Sequence, residues 1–221
     1  MAKTKKTVDE MASNETTIVV KPIEKHTMKI TIAGDSDLIL NKMCRSTTEG
    51  LIDERNDKSK TIKEKNKWDD IITSMHWRDP LPEGVYTEKT LKELLKKNAP
   101  CISAFGLKKS FGDAVVRNEI SKYATKFNAS CNVLARGNLI PIQFTEHYID
   151  EMLMKTRTGS QVLARHNHFV GWKATFTIQY MGGGAYSAEQ IVNIINLAGF
   201  GLGIGSGRSS GYGRYHVEGV E

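Results

Sequence analysis

Fifteen residues, Gly199 to Gly213 (GFGLGIGSGRSSGYG), constrain this chain more than any other stretch, because seven of them are glycine. Glycine loses more backbone freedom on folding than any other residue, so a loop this rich in it needs a reason. The usual reason is close approach, in which a phosphate backbone or another chain touches main-chain N–H groups. Arg208 stands inside the stretch and Arg214 just past it, so a phosphate cradle is one reading. A flexible connection between a helix and a strand is the other, although such connections usually need only a few residues.

Two familiar nucleotide cradles are excluded. The dinucleotide fingerprint needs G-x-G-x-x-G after a strand and before a helix. Here the spacing is G-x-G-x-G-x-G, and the helix comes first. The phosphate-loop motif fails as well, since no Gly-Lys-Ser/Thr follows. What remains is a loop suited to an extended polyanion.

Composition narrows the classes further. The 221 residues suffice for one sizeable core. Thirty-one Lys and Arg against twenty-five Asp and Glu give a net charge of +6, and the pI is near 9.1. That balance leans toward a polyanionic partner. No apolar run is long enough for a membrane span, and the opening MAKTKKTVDEM lacks the apolar centre of a signal peptide. Cys44, Cys101 and Cys131 are far apart and in no metal pattern, as expected of reduced thiols in a cytoplasm. No metal and no cofactor is expected.

Residues 1–15 read as a polar, Lys-rich tail, and 16–221 as a single domain. Thr17–Val20 and Met28–Ala33 read as strands, the second alternating Met28, Ile30 and Ile32 inward. Residues 45–98 read as an insertion. Its first part, Arg45–Lys67, has little to bury, whereas Trp68, Ile71, Ile72 and Met75 share one helical face. Thr87 caps a helix reaching Lys97, and Ser103 caps another whose apolar stripe is Phe111, Val115, Ile120, Tyr123, Ala124 and Phe127. Lys108 and Lys109 lie near the start of that helix, where cations oppose the dipole unless an anion is placed there. Asn132–Phe144 reads as a hairpin about Gly137-Asn138, and Thr145 as the cap of a helix reaching Met154. Residues 155–168 read as a basic loop or hairpin arm. Phe169–Tyr180 alternates as one strand, with Trp172 and Phe176 in the core. Ser187 and Gln190 form a capping box ahead of a buried helix ending at Gly199. Tyr212–Val217 closes as a strand.

With the insertions removed, the order is strand, helix, strand, strand, helix, strand. This is the ferredoxin-like βαββαβ arrangement, an α+β fold with two helices on one face of an antiparallel sheet. RNA-recognition domains use that topology, although a fold alone does not give a function.

Two segments resemble the RAMP superfamily, the repeat-associated proteins of CRISPR effector complexes. ISAFGLKKSFGDAVVR (102–117) resembles that family's I-P-x-S-S-L-K-G-x-x-R helix start. GSGRSSGYGRYHV (205–217) resembles its C-terminal G-x-R-S-x-G-Y-G-x-x-x-V loop. Phe105 and Gly106 depart from the small hydroxyl residues of the family pattern, and the block 45–100 has no counterpart in it. The resemblance implies a modified RNA-recognition fold that binds single-stranded RNA and, in backbone-type members, assembles side by side along it. It implies phosphate contacts from Lys108, Lys109 and Arg117, and from Arg208 in the glycine loop. A subunit of a CRISPR complex and a stand-alone relative are both open.

The expected ligand is therefore a single strand of nucleic acid, RNA ahead of DNA, bound by a homo-oligomer in the cytoplasm. Gly205, Gly207, Ser209 and Arg214 accompany Arg208 at the loop, and Tyr212 beside it is the stacking candidate. Arg165 and His166 would touch RNA from the basic arm. An endoribonuclease of the same fold would draw on Asp35 or Asp37 after the first strand, or on His168 as a general acid or base. The competing readings are a strand-ending turn for the aspartates and solvated histidines in the arm. A third possibility is an interaction protein whose glycine loop packs on a neighbouring subunit.

Overall fold

A computed structural model describes residues 22–55, 66–155, 159 and 161–221. The tail at 1–15, the strand read at Thr17–Val20 and the middle of the 45–98 insertion lie outside the described residues. In chain order the first elements are β1 (Lys25–Gly34), β2 (Leu38–Leu40), α1 (Arg45–Arg55), α2 (Lys67–Thr73), β3 (His76–Trp77), α3 (Glu88–Lys97), β4 (Pro100–Ser103) and α4 (Ala104–Arg117). There follow α5 (Thr125–Ser130), β5 (Cys131–Leu134), β6 (Leu139–Gln143), β7 (Glu146–Lys155), β8 (Gln161–Val170), β9 (Lys173–Met181), α6 (Ala188–Gly201) and β10 (Tyr215–Val220).

Strand β1 centres the main sheet because its alternation gives one fully apolar face: Met28, Ile30 and Ile32 are buried. It pairs antiparallel with β10 on one edge and β9 on the other. The far edge of β9 is shared. Its Thr177–Tyr180 half pairs with β5, and its Lys173–Ala174 end pairs with β6. The sheet continues through β4 to β3. Among the described residues the order is β10-β1-β9-β6-β4-β3, with β5 also on β9. Helices α4 and α6 pack on each other. From α4, Phe111 and Val115 enter the core, and from α6, Ile191, Ile194, Ile195 and Ala198 do so. The insertion belongs to the same core through Ile71, Ile72, Leu91 and Leu94.

A second sheet, β2-β8-β7, stands beside the first. Buried Asn167 on β8 locks it to the insertion: its Nδ2 donates to the Ile71 carbonyl at 3.1 Å and to Ser74 Oγ at 3.2 Å.

Several expectations are corrected. The helix read from Thr145 is instead strand β7, paired with β8 from Glu146–Val170 to Lys155–Gln161. The Thr145 hydroxyl donates to the Val170 carbonyl at 3.0 Å rather than capping a helix. Residues 161–168 of the basic arm thus belong to β8, the antiparallel partner of β7. The hairpin read at Asn132–Phe144 is not one, because β5 and β6 both pair with β9. The strand read through Phe169–Tyr180 breaks at Gly171, whose φ of +57° turns the chain between β8 and β9. Trp172 and Phe176 are in the core as expected. Arg45–Arg55, in the stretch read as having little to bury, is helical. Helix α4 ends at Arg117, and Glu119 at φ +57° diverts the chain, so Ile120 and Tyr123 face solvent instead of the core.

Candidate functional site

The glycine loop follows α6 and is stitched to itself, to β2 and to the turn between β1 and β2. Ile204 N–H donates to the Gly213 carbonyl at 3.0 Å, Ser206 N–H to the Ile39 carbonyl on β2 at 2.9 Å, and Gly213 N–H to the Asp37 carbonyl at 2.8 Å. The turn after β1 completes the join: Ser36 Oγ donates to the Gly211 carbonyl at 2.9 Å and accepts from Arg214 N–H at 3.0 Å. The close approach that the glycines serve is therefore largely to their own chain. Gly205 has φ +77°, and a Cβ there would lie 2.5 Å from the Ile39 carbonyl oxygen. The loop is neither a slack connector nor open only to an outside chain.

Two depressions flank this loop. The first, of about 270 Å³, has Leu40, Met75, Ile102, Leu107 and Ile204 as buried apolar lining, with Lys42, Lys109 and Arg208 as its cations. His76 also lines it, and burial, then the charge of Lys42, lower that imidazole's pKa. The second, of about 500 Å³, is lined by Arg117, Arg208, Ser209 and Arg214, together with Asp113 and Gly207. Gly205, Ser206 and Arg208 line both, so this part of the loop is a ridge between them.

Of the residues expected at a phosphate site, Lys109, Gly205 and Arg208 meet at the first depression, and Arg117, Gly207, Arg208, Ser209 and Arg214 at the second. Lys108 lines neither. Its Nζ donates to the Asn128 carbonyl at 3.0 Å and to Asn132 Oδ1 at 2.7 Å. Both lysines stand one turn into α4, and the opening turn is already capped. Gly106 N–H donates to Ser103 Oγ at 3.2 Å and Phe105 N–H to Asn138 Oδ1 at 2.8 Å. An anion is thus not needed to satisfy those amides.

Arg165 and His166 lie on the hairpin, outside both depressions. Arg165 donates to Glu151 Oε1 at 3.1 Å, and His166 is opposite Asp150 in register. Tyr212 is half-buried and meets His168 edge-on at 5.3 Å between ring centroids. Two residues were missed, Lys42 in the first depression and Phe105 next to its lining residue Gly106. Lys42 follows β2, a three-residue strand too short to stand out by period. Phe105 is a first-turn aromatic, and its exposure is the only mark it carries.

The histidine read as solvated is buried: His168 is 2% exposed, because β2 pairs with β8 beside it and Tyr148 and Tyr212 close over it. Its ring stacks on Tyr148 at 4.6 Å, and its Nδ1 is 4.0 Å from Asp37 Oδ2. Burial lowers its pKa, opposed by the charges of Asp150 and Asp37. Tyr148 donates its hydroxyl to Asp37 Oδ2 at 2.8 Å, a bond that pushes the phenol up to about 12. Asp35 pairs with His216 at 2.6 Å. Burial pushes the Cys101 and Cys131 thiols up to about 11, so neither is a ready nucleophile at neutral pH. Among the described residues, no group of three or more His, Cys, Asp or Glu side chains is placed to hold a metal, and no helix is long and apolar enough to cross a membrane.

No family profile matches the chain, and no curated protein matches it in sequence. Among solved structures it is similar to a chain of the Type III-B Cmr-beta bound to cognate target RNA, at 10% identity and a TM-score of 0.47. That match covers 89% of this chain and 60% of the other, so this chain spans less than two thirds of its neighbour. It is also similar to Cmr6 from Pyrococcus furiosus, at 10% identity and a TM-score of 0.40, over 88% of this chain and 99% of that one.

Proposed function

We propose that this protein binds single-stranded nucleic acid, RNA ahead of DNA, through the sugar-phosphate backbone and without catalysis. One observation carries the reading: Arg208 on the ridge has Lys42 and Lys109 on one side and Arg117 and Arg214 on the other. Five cations around one glycine loop suit a chain of phosphates better than a single anion, and such contacts are sequence-tolerant and salt-sensitive. The strand order β10-β1-β9-β5/β6, with α4 and α6 packed together, supports a ferredoxin-like core of βαββαβ type. The motif resemblance at 102–117 and 205–217 supports a RAMP-type protein, within a CRISPR complex or alone. Side-by-side assembly along the strand and a cytoplasmic location complete the proposal. Size-exclusion chromatography of the purified protein, read at 260 and 280 nm before and after RNase, tests it. A large species that absorbs at 260 nm and shrinks with RNase is the expected result. A large oligomer free of nucleic acid, and indifferent to added RNA, would favour the interaction-protein reading instead.

The endoribonuclease reading has one observation behind it, the grouping of Asp37, Tyr148 and His168. The burial of His168 weighs against it, since a general acid or base must reach the proton it moves. Intact RNA after incubation with and without Mg²⁺ would dismiss it, and cleavage lost in Asp37→Ala would establish it.

A further inference from the structure

We propose that Phe105 is a base-stacking residue, on whose ring a nucleobase lies while Lys109 holds the adjoining phosphate at the first depression. The inference rests on the nucleic-acid reading above. Phe105 is 70% exposed, whereas Phe111 on the same helix and Phe127 nearby are fully buried. Single exposed apolar side chains are common on protein surfaces, so its place beside a basic depression, not its exposure alone, is what asks for a partner.

The position is held by its backbone, not left to a loop. Asn138 reaches across from the β5–β6 turn, its Oδ1 accepting from Phe105 N–H at 2.8 Å and its Nδ2 donating to Ser103 Oγ at 3.1 Å. Asn138 does so from φ +61°, a left-handed conformation that asparagine tolerates better than most residues. Lys109 lies four residues on from Phe105 and so shares its helix face. Ser103, Gly106 and Lys109 all line the depression.

Gly106 keeps the approach to that ring clear. A glycine inside a helix is less favourable than an alanine there. At Gly112 and Gly199 a crowded Cβ explains such a cost; Gly106, like Gly50 and Gly201, has no such clash. A Cβ on Gly106 would meet nothing nearer than Ser103 Cβ at 3.7 Å, an ordinary contact. The fold does not require the bare backbone beside Phe105, and it leaves room for a flat base to approach the ring. The cations around this space name the occupant as a nucleotide rather than an apolar peptide. Tyr212, the other stacking candidate, already has a ring partner in His168.

The test is fluorescence anisotropy of the full chain with a labelled single-stranded RNA of mixed sequence, repeated with 2-aminopurine oligonucleotides, whose emission is quenched on stacking. Phe105→Ala is expected to weaken binding about five- to hundred-fold, the range for losing one stacked base. It should abolish the quenching and leave the slope of log affinity against log salt unchanged, since no phosphate contact is removed. Phe105→Trp should restore affinity, and Gly106→Leu should weaken it with no loss of stability. Tyr123→Ala, an exposed aromatic past the end of α4, should have no effect. Affinity of Phe105→Ala within twofold of wild type, or an equal loss in Tyr123→Ala, would overturn the stacking role while leaving the binding reading intact. Wild-type protein that binds no RNA would overturn both.

Discussion

Gly213 and Ile204 are so closely apposed that no side chain can stand at the first: a Cβ on Gly213 would overlap the Ile204 carbonyl oxygen. The Ile204 N–H meanwhile donates to the Gly213 carbonyl at 3.0 Å. Gly213→Ala must displace backbone as well as adopt φ +68°. The left-handed conformation alone costs an L-residue roughly 1–2 kcal/mol. Gly211 also has a positive φ, but a Cβ there would meet nothing within 4 Å. Urea unfolding should therefore show Gly211→Ala losing about 1–2 kcal/mol and Gly213→Ala distinctly more. Equal losses would mean that the loop yields at Gly213.

Asn138 joins two elements that are distant in sequence. Asn138→Gly keeps the left-handed backbone but removes both side-chain bonds to the start of α4. The expected loss is about 1 kcal/mol, that of a helix cap. Asn138→Ala adds the cost of φ +61° and should lose more. Thermal or urea unfolding of the two variants, compared with wild type, orders them.

Lys108 and Lys109 are sequence neighbours with different surroundings. Lys108→Ala gives up bonds to Asn128 and Asn132, and should cost about 1 kcal/mol of stability with RNA affinity little changed. Lys109→Ala should do the reverse. Unfolding curves and binding titrations on the same two preparations would separate them.

Three histidines, His76, His147 and His168, have pKa values lowered chiefly by burial. As pH falls below about 6.5, the unfolded chain takes up protons at these positions before the folded chain does. Stability is then lost toward acid: it is complete above that pH and declines as pH drops toward the lowered folded values. The urea midpoint should hold between pH 8 and 7 and fall from 7 to 5. His168→Phe, which keeps an aromatic ring between Tyr148 and Tyr212, should fall less steeply. A midpoint that rises on acidification over this range would contradict the assignment.

What could be read from the sequence was local. The caps at Thr87, Ser103 and Ser187 lie where their patterns put them, because a cap is decided within four residues. Strand β1 was legible because its partners on both sides ask only for a regular period. The pairing of β7 with β8 was not. Thr145 looks like a helix cap in isolation, and only pairing with residues up to twenty-four positions away makes β7 a strand. Gly137-Asn138 looks like a hairpin turn, but it serves instead to step the chain along β9 and to present Asn138 to α4. At the site, Arg208 and Lys109 were legible as charge beside glycine. That Lys108 points elsewhere, and that His168 is covered, depends on contacts across 20 or more residues that no window of sequence contains.

The central claim is that Lys109 and Arg208 grip the phosphates of a single strand. Its most direct test is anisotropy of labelled single-stranded RNA over a range of salt, for wild type and the Lys109→Glu/Arg208→Glu double variant. Each phosphate neutralised on a single strand adds about −0.7 to the slope of log affinity against log salt. With three to five contacts engaged, the wild-type slope should be roughly −2 to −3.5. The double variant, folded by circular dichroism, should bind too weakly to measure. Wild-type affinity in that variant, or a wild-type slope near zero, would contradict the account.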